Sequence, residues 1–166
     1  MTGPILVAYA SRYGTTHEVA EAIAATLREH ELNVEVLPAG EVDDLGPYGA
    51  VVLGGGIYMG RWHRDARGFV RHFEQALRGL PVAVFALGPV SEKPSDLADS
   101  IKQLERNLAR LPVEPFAVHV FGGAFDPAKV GFPFNRMPAG DVRDWDAIHE
   151  WAVGLAERFA SAPAFA

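Results

Sequence analysis

The feature that most constrains this chain is the recurrence of short, nearly continuous apolar runs: Ile5 to Ala10, Gly49 to Leu53, Pro81 to Leu87 and Phe116 to Phe121. A strand with one wet face alternates apolar and polar residues, so runs without alternation belong to strands covered on both faces. Asn33 to Leu37 is a shorter candidate in which Val34 and Val36 alternate with Glu35. Between the runs the apolar period changes to that of a helix. Val19, Ala20, Ile23, Ala24 and Leu27 share one face, and from Arg64 to Arg78 so do Phe69, Val70, Phe73 and Leu77. A third stripe joins Leu97, Ile101, Leu104, Leu108 and Leu111, with Ser95 or Asp96 as its cap and Pro112 as its stop. The last, capped by Asp144, joins Ile148, Trp151, Ala152, Leu155 and Phe159. Strand and helix in alternation, with the helix after the second strand reduced or missing, predict a doubly wound α/β domain with helices on both faces of a parallel sheet. The pattern places it over residues 1–160, with a frayed tail over 161–166.

Composition narrows the chemistry. A chain of 166 residues suffices for one core, and a net charge of -6 argues against nucleic acid as a main partner. With no cysteine there is no disulfide, thiolate nucleophile or cysteine metal site, so redox work requires an external cofactor. His17, His30, His72, His119 and His149 show no metal-ligand spacing, and no metal is expected. No run reaches the ~18 apolar residues of a spanning helix, from which we expect a soluble, cytoplasmic protein.

The polar turn after the first run, Ser11-Arg12-Tyr13-Gly14-Thr15-Thr16, concentrates three hydroxyls around one glycine at the start of a helix. A capped helix needs one such hydroxyl. Three of them, with loop amides at a positive helix end, form a cradle for phosphate. Gly-x-Gly-x-x-Gly is absent from this loop, which disfavours a dinucleotide and favours a mononucleotide.

This loop resembles the flavodoxin phosphate loop, Thr/Ser-x-Thr-Gly-x-Thr, and the resemblance follows the element order of the whole chain. Tyr13 replaces a hydroxyl residue of that pattern, and Arg12 is a candidate cationic substitute. Within flavodoxin-like proteins, three stretches look like the quinone-dependent protoporphyrinogen IX dehydrogenase branch: Gly55 to His63, Gly122-Gly123-Ala124-Phe125-Asp126 and Asp144-Trp145. That branch carries a longer, basic and hydrophobic insertion after the fifth strand, whereas Lys129 to Gly140 is short here, with Lys129 and Arg136 its cations. The resemblance implies a five-stranded parallel sheet of order 2-1-3-4-5 and one FMN at its carboxyl edge. It implies an oxidoreductase that passes electrons from a reduced organic substrate, such as a porphyrinogen, through FMN to a quinone. The alternatives are an electron-transfer protein serving a redox partner and an FMN-less binding module. Peripheral membrane contact and oligomers are compatible with any of these.

On the same resemblance FMN is expected to meet Ser11, Arg12, Tyr13, Gly14, Thr15 and Thr16 in the first loop. Gly55, Gly56, Ile57, Tyr58 and Gly60 would meet it in the second, and Leu87, Gly88 and Pro89 in the third. A flexible peptide among Gly56, Ile57 and Tyr58 would hydrogen-bond the flavin in one redox state and turn away in another. Gly54 to Gly56 also read as a plain strand-to-helix turn. Tyr58 and Trp62 either stack on a flat ring or pack under the loop. Arg61, Trp62, His63 and Arg64 are the candidate substrate contacts, while Arg64, Arg67, Arg71 and Arg78 together read as a solvated helix face. No side-chain acid, base or nucleophile is assigned to catalysis.

Overall fold

The computed structural model of the chain describes residues 3–161. Its strands are β1 (Ile5–Ala10), β2 (Val34–Pro38), β3 (Ala50–Tyr58), β4 (Arg61–Trp62), β5 (Val82–Leu87), β6 (Ala117–Phe121), β7 (Ala124–Phe125) and β8 (Gly140–Asp141). Five helices accompany them: α1 (Thr15–Glu29), α2 (Arg64–His72), α3 (Glu74–Arg78), α4 (Pro94–Ala109) and α5 (Trp145–Ser161). The main sheet runs β2-β1-β3-β5-β6, all parallel, with β4 a short antiparallel appendage on β3. Setting β4 aside, this is the expected 2-1-3-4-5 order of a flavodoxin-like sheet.

The continuous apolar runs have the expected cause, since successive strand residues enter two different cores. Leu6, Ala8, Val51, Leu53 and Val84 face α2, α3 and α4 through Ala66, Phe69, Val70, Leu77 and Leu104. Ile5, Val7, Val52, Ala83 and Phe85 face α1 and α5 through Val19, Ile23, Leu27, Ile148, Leu155 and Phe159. Each large aliphatic side chain so buried contributes roughly 1.5–3 kcal/mol. These cores fix the carboxyl ends of β1, β3 and β5 side by side, where three loops emerge.

Four local expectations change. Gly54 to Gly56 are not a turn: β3 runs through them to Tyr58 and returns as β4, a hairpin pairing Tyr58 with Arg61. Met59 and Gly60, at φ 50° and 77°, make the two-residue turn of positive φ that suits such a hairpin. The single helix expected from Arg64 to Arg78 is broken at Phe73 into α2 and α3. Neither Ser95 nor Asp96 caps α4, which starts at Pro94 behind Lys93; Asp96 instead accepts a hydrogen bond from the Ser91 hydroxyl. The stripe on α4 is also only partly covered, with Leu97 and Ile101 exposed and Leu104 buried. Asp144 does cap α5, its carboxylate accepting from Ala147 N at 3.0 Å. Beyond Ser161, the tail expected to fray lies outside the described residues.

Candidate functional site

The first loop is built around the start of α1. Ser11 Oγ accepts a hydrogen bond from Gly14 N at 2.9 Å, closing the turn. Gly14 sits at φ 89° in the cap position, a conformation that a residue with a Cβ adopts at a cost. Because glycine has no side chain, no cap bonds the first amides of α1, and they point at the loop. Thr16 is almost fully buried as a residue, and its hydroxyl makes no hydrogen bond among the described residues. No fully enclosed side-chain oxygen or nitrogen among the described residues lacks a partner, so this hydroxyl keeps some exposure. Unfilled donors and an unpartnered hydroxyl at a positive helix end make a site that favours an anion. Arg12 and Tyr13 are exposed, with the Arg12 guanidinium 5.3 Å from the Tyr13 ring.

The second loop is the β3–β4 hairpin. Gly54 and Gly55 are explained by packing, since a Cβ on Gly54 would lie 1.9 Å from the Phe85 ring and one on Gly55 3.1–3.2 Å from Trp62, Ala66 and His63. Of the three β3 glycines Gly56 alone is uncrowded, the nearest atom to a Cβ there being Thr16 Oγ1 at 4.0 Å, an ordinary contact. The gap between the first two loops is therefore bordered by Thr16 and Gly56. The Gly56 carbonyl accepts from His63 N at 2.9 Å, a bond that turning the peptide from Gly56 to Ile57 would break. Trp62 is fully buried and its indole N–H donates to the Gly55 carbonyl at 3.1 Å. It packs under the loop, which removes it from the substrate contacts. Tyr58 is exposed at the hairpin end and remains available for stacking.

His63 caps α2, its Nδ1 accepting from Asp65 N at 3.0 Å. Burial pushes its proton affinity down, Asp65 raises it, and Arg64, Arg67 and Arg12 lower it further. A neutral imidazole suits a cap that must accept a hydrogen bond. In the third loop Gly88 N donates to the Phe121 carbonyl at 2.8 Å and Gly123 N to the Pro89 carbonyl at 3.1 Å. Leu87 is buried, while Pro89 and Val90 are exposed.

Sheet order, helices on both faces and an anion-ready first loop come together in one family. A family model described as flavodoxin domain matches residues 6–137. The chain belongs to that family. It is similar to the protoporphyrinogen IX dehydrogenase [quinone] of Escherichia coli K12, 28% identical over 91 residues. That match spans 54% of this chain and 50% of the relative, so the chain covers about half the length of the curated relative. Among solved structures it is similar to oxidised flavodoxin 2 from Bacillus cereus (TM-score 0.63, 24% identity), over 95% of this chain and 100% of that one. It is also similar to a mutant flavodoxin from Pseudomonas aeruginosa (TM-score 0.62, 19% identity), over 95% and 99% of the two chains. The flavodiiron core Flv1 from Synechocystis shares the fold over 98% of this chain and 37% of that one (TM-score 0.64, 16% identity).

Two residues of this flavodoxin domain escape sequence reasoning. Asn107, on α4, accepts from Trp62 N at 3.2 Å and donates to the Gly60 carbonyl at 3.1 Å, pinning the second loop from 45 residues away. Arg143, just before α5, has a nearly buried side chain. It donates to the Thr15 carbonyl at 3.2 Å and pairs with Asp141 at 2.7 Å and Glu18 at 3.3 Å. Hydrogen bonds from Arg143 hold the Asp141 carboxyl below the ordinary carboxylate value despite some burial. Lys129 reaches the Tyr13 carbonyl at 3.4 Å. The connection after β6 thus grips the first loop at two points, which no local sequence pattern announces. Among the described residues no three His, Asp or Glu side chains gather as a metal site, and no helix is long and apolar enough to cross a membrane.

Proposed function

We propose that the chain binds FMN in the gap between the first two loops and works as an oxidoreductase of the protoporphyrinogen dehydrogenase type. The observation that carries this is the uncapped α1 start beside an unpartnered Thr16 hydroxyl, next to the uncrowded Gly56. Ser11, Thr15, Thr16 and the amides of Arg12, Tyr13, Thr15 and Thr16 would hold the phosphate, the Gly14 amide being bonded to Ser11 Oγ; Gly56, Ile57 and Tyr58 would border the ring, with Gly88 and Pro89 on its far side. Bound there, FMN supplies two-electron and one-electron chemistry that no side chain of this cysteine-free protein offers. The protein's part is to bind, orient and tune: the positive helix end accepts the phosphate, and Tyr58 offers an aromatic face. Arg61, His63 and Arg64 stand at the rim, where a carboxylate-bearing substrate would meet them. The match to the Escherichia coli dehydrogenase supports a quinone as electron acceptor.

The rival reading is an electron-transfer protein without its own substrate. It is favoured by the Bacillus cereus flavodoxin, which matches along its whole length while the dehydrogenase matches over half. Two measurements divide them. The visible spectrum of the purified protein, before and after addition of FMN, is expected to show a bound flavin; a colourless protein that takes up none sinks both. Anaerobic mixing of the FMN-loaded protein with protoporphyrinogen and a quinone is then expected to give flavin-dependent porphyrin, and its absence leaves the carrier.

A further inference from the structure

Five arginines crowd one side of the open end of the sheet. Arg64, Arg67 and Arg71 fall on one stripe of α2, opposite the buried Ala66, Phe69 and Val70, and span two turns or about 10 Å. Arg61 stands beside them on β4, and Arg12 of the first loop is near enough to His63 to weaken its proton binding. Arg12, Arg64 and Arg67 all weaken proton binding at His63, and after burial, the larger cause, Arg61, Arg71 and Arg64 do the same at Arg67, so the five share one positive field.

Almost nothing neutralises that field. Asp65 is the one carboxylate between residues 57 and 73, and it lies 3.8 Å from Arg64 Nε. Among the described residues Arg12, Arg61, Arg67 and Arg71 join no ion pair, and neither does Glu41 on a 3-10 turn (Ala39–Glu41) packed against α2. An ordinary solvated helix face intersperses both signs, as the Glu74–Arg78 pair of α3 does. Here a chain of net charge -6 places five of its fifteen Lys and Arg residues together, against its own average sign. Such a patch repels itself and attracts anions over several ångströms.

Its extent decides what kind of anion fits. A small carboxylate at the rim would engage Arg61 and Arg64, leaving Arg71 two turns away with nothing to do. Beside Arg61 the hairpin tip exposes Tyr58 and Met59, 65% and 86% accessible. An apolar point within a charged surround is the anatomy of a protein contact rather than of a small-molecule pocket.

We propose that the hairpin tip and the α2 arginine stripe form a docking face for an acidic redox protein, whose carboxylates meet Arg12, Arg61, Arg64, Arg67 and Arg71 around an apolar contact with Tyr58 and Met59. Docking itself does not depend on the flavin; only its use for electron exchange rests on the FMN reading above.

The probe is a plant-type [2Fe–2S] ferredoxin, which has an acidic surface, with basic cytochrome c as counter-probe. Each is titrated calorimetrically into the protein, with and without FMN, at low salt and at about 200 mM salt, where the screening length is under 10 Å. The expected result is ferredoxin binding at low salt that weakens at least about tenfold at high salt, with weaker binding of cytochrome c. Arg64→Gln with Arg71→Gln is expected to weaken ferredoxin at least about tenfold while circular dichroism is unchanged. Tighter binding of cytochrome c, no ferredoxin binding at low salt, or indifference to the two substitutions overturns the proposal. Loss of ferredoxin binding on Arg61→Gln with Arg71→Gln silent would confine the contact to the rim and overturns the α2 stripe as a docking face as well. Uptake of no FMN alongside the expected ferredoxin titration removes the flavin reading and leaves the docking face standing.

Discussion

At the scale of single residues, Thr16 and Gly54 divide function from packing. Thr16 keeps an unpartnered hydroxyl beside Gly56, whereas the Ser91 hydroxyl is already committed to Asp96. Thr16→Ala should therefore weaken FMN binding more than Ser91→Ala, by about tenfold if one hydrogen bond to a charged phosphate is lost. Fluorescence titration of FMN into both variants decides it, and equal affinities would contradict a phosphate at this loop. Gly54 makes the opposite case. A methyl there would enter the Phe85 ring, so Gly54→Ala should lower stability by about 1–3 kcal/mol, and Phe85→Leu should recover part of it. Denaturant unfolding of the two single variants and the double variant measures that coupling; additive losses would mean that the ring moves aside. Of the second-loop glycines that the sequence offered to FMN, Gly55 lies against Trp62, Ala66 and His63, and its neighbour Gly54 lies against the Phe85 ring. A sequence shows where a Cβ is missing, and only the fold shows what fills the space.

At the scale of elements, periodicity was legible wherever an element was long and buried on a regular face. β1, β5, α1 and α5 lie where their apolar spacing puts them, because each makes its main contacts with a core on a fixed side. Short elements depend on partners distant in the chain and were not legible in this way. The β3–β4 hairpin exists because Met59 and Gly60 accept positive φ and because Asn107, on another helix, fills the hydrogen-bonding capacity of Trp62 and Gly60. The α2–α3 break at Phe73 interrupts a stripe that looks continuous on a helical wheel. Asn107→Leu should leave Trp62 N and the Gly60 carbonyl without their side-chain partner and cost about 1–3 kcal/mol. The loss should be local: hydrogen exchange at the Trp62 amide should rise while amides of β1 and β5 keep their protection. Uniform loss of protection would instead make Asn107 a support of the whole domain.

At the scale of the whole molecule, the connection after β6 is joined to the first loop through charge, and this makes the candidate site sensitive to acid. The phosphate loop was legible because its glycine and hydroxyls are neighbours in sequence. Its clamp was not, since Arg143 lies 128 residues beyond Thr15 and reads alone as one more polar residue before a helix. Arg143 holds the Asp141 carboxyl below its ordinary value, so Asp141 binds a proton more readily in the unfolded chain than in the folded one. Its stabilising contribution is therefore fully present above the ordinary carboxylate value and is lost as pH falls through the lower, folded value. Between about pH 5 and pH 3 the melting temperature should fall more steeply for the natural protein than for Asp141→Asn, which cannot titrate at this position. At neutral pH the variant should already melt lower, because Arg143 keeps only its Glu18 pair and the Thr15 carbonyl. The clamp also predicts a ligand signature. Arg143→Gln should weaken FMN, whose phosphate needs an ordered first loop, several-fold more than riboflavin, which has no phosphate to place. Rescue of FMN affinity by Arg143→Lys would show that charge alone suffices, whereas its failure would show that the fork of hydrogen bonds to Asp141 and Thr15 is what orders the loop. Equal losses of FMN and riboflavin would reduce the clamp to a general support of the fold.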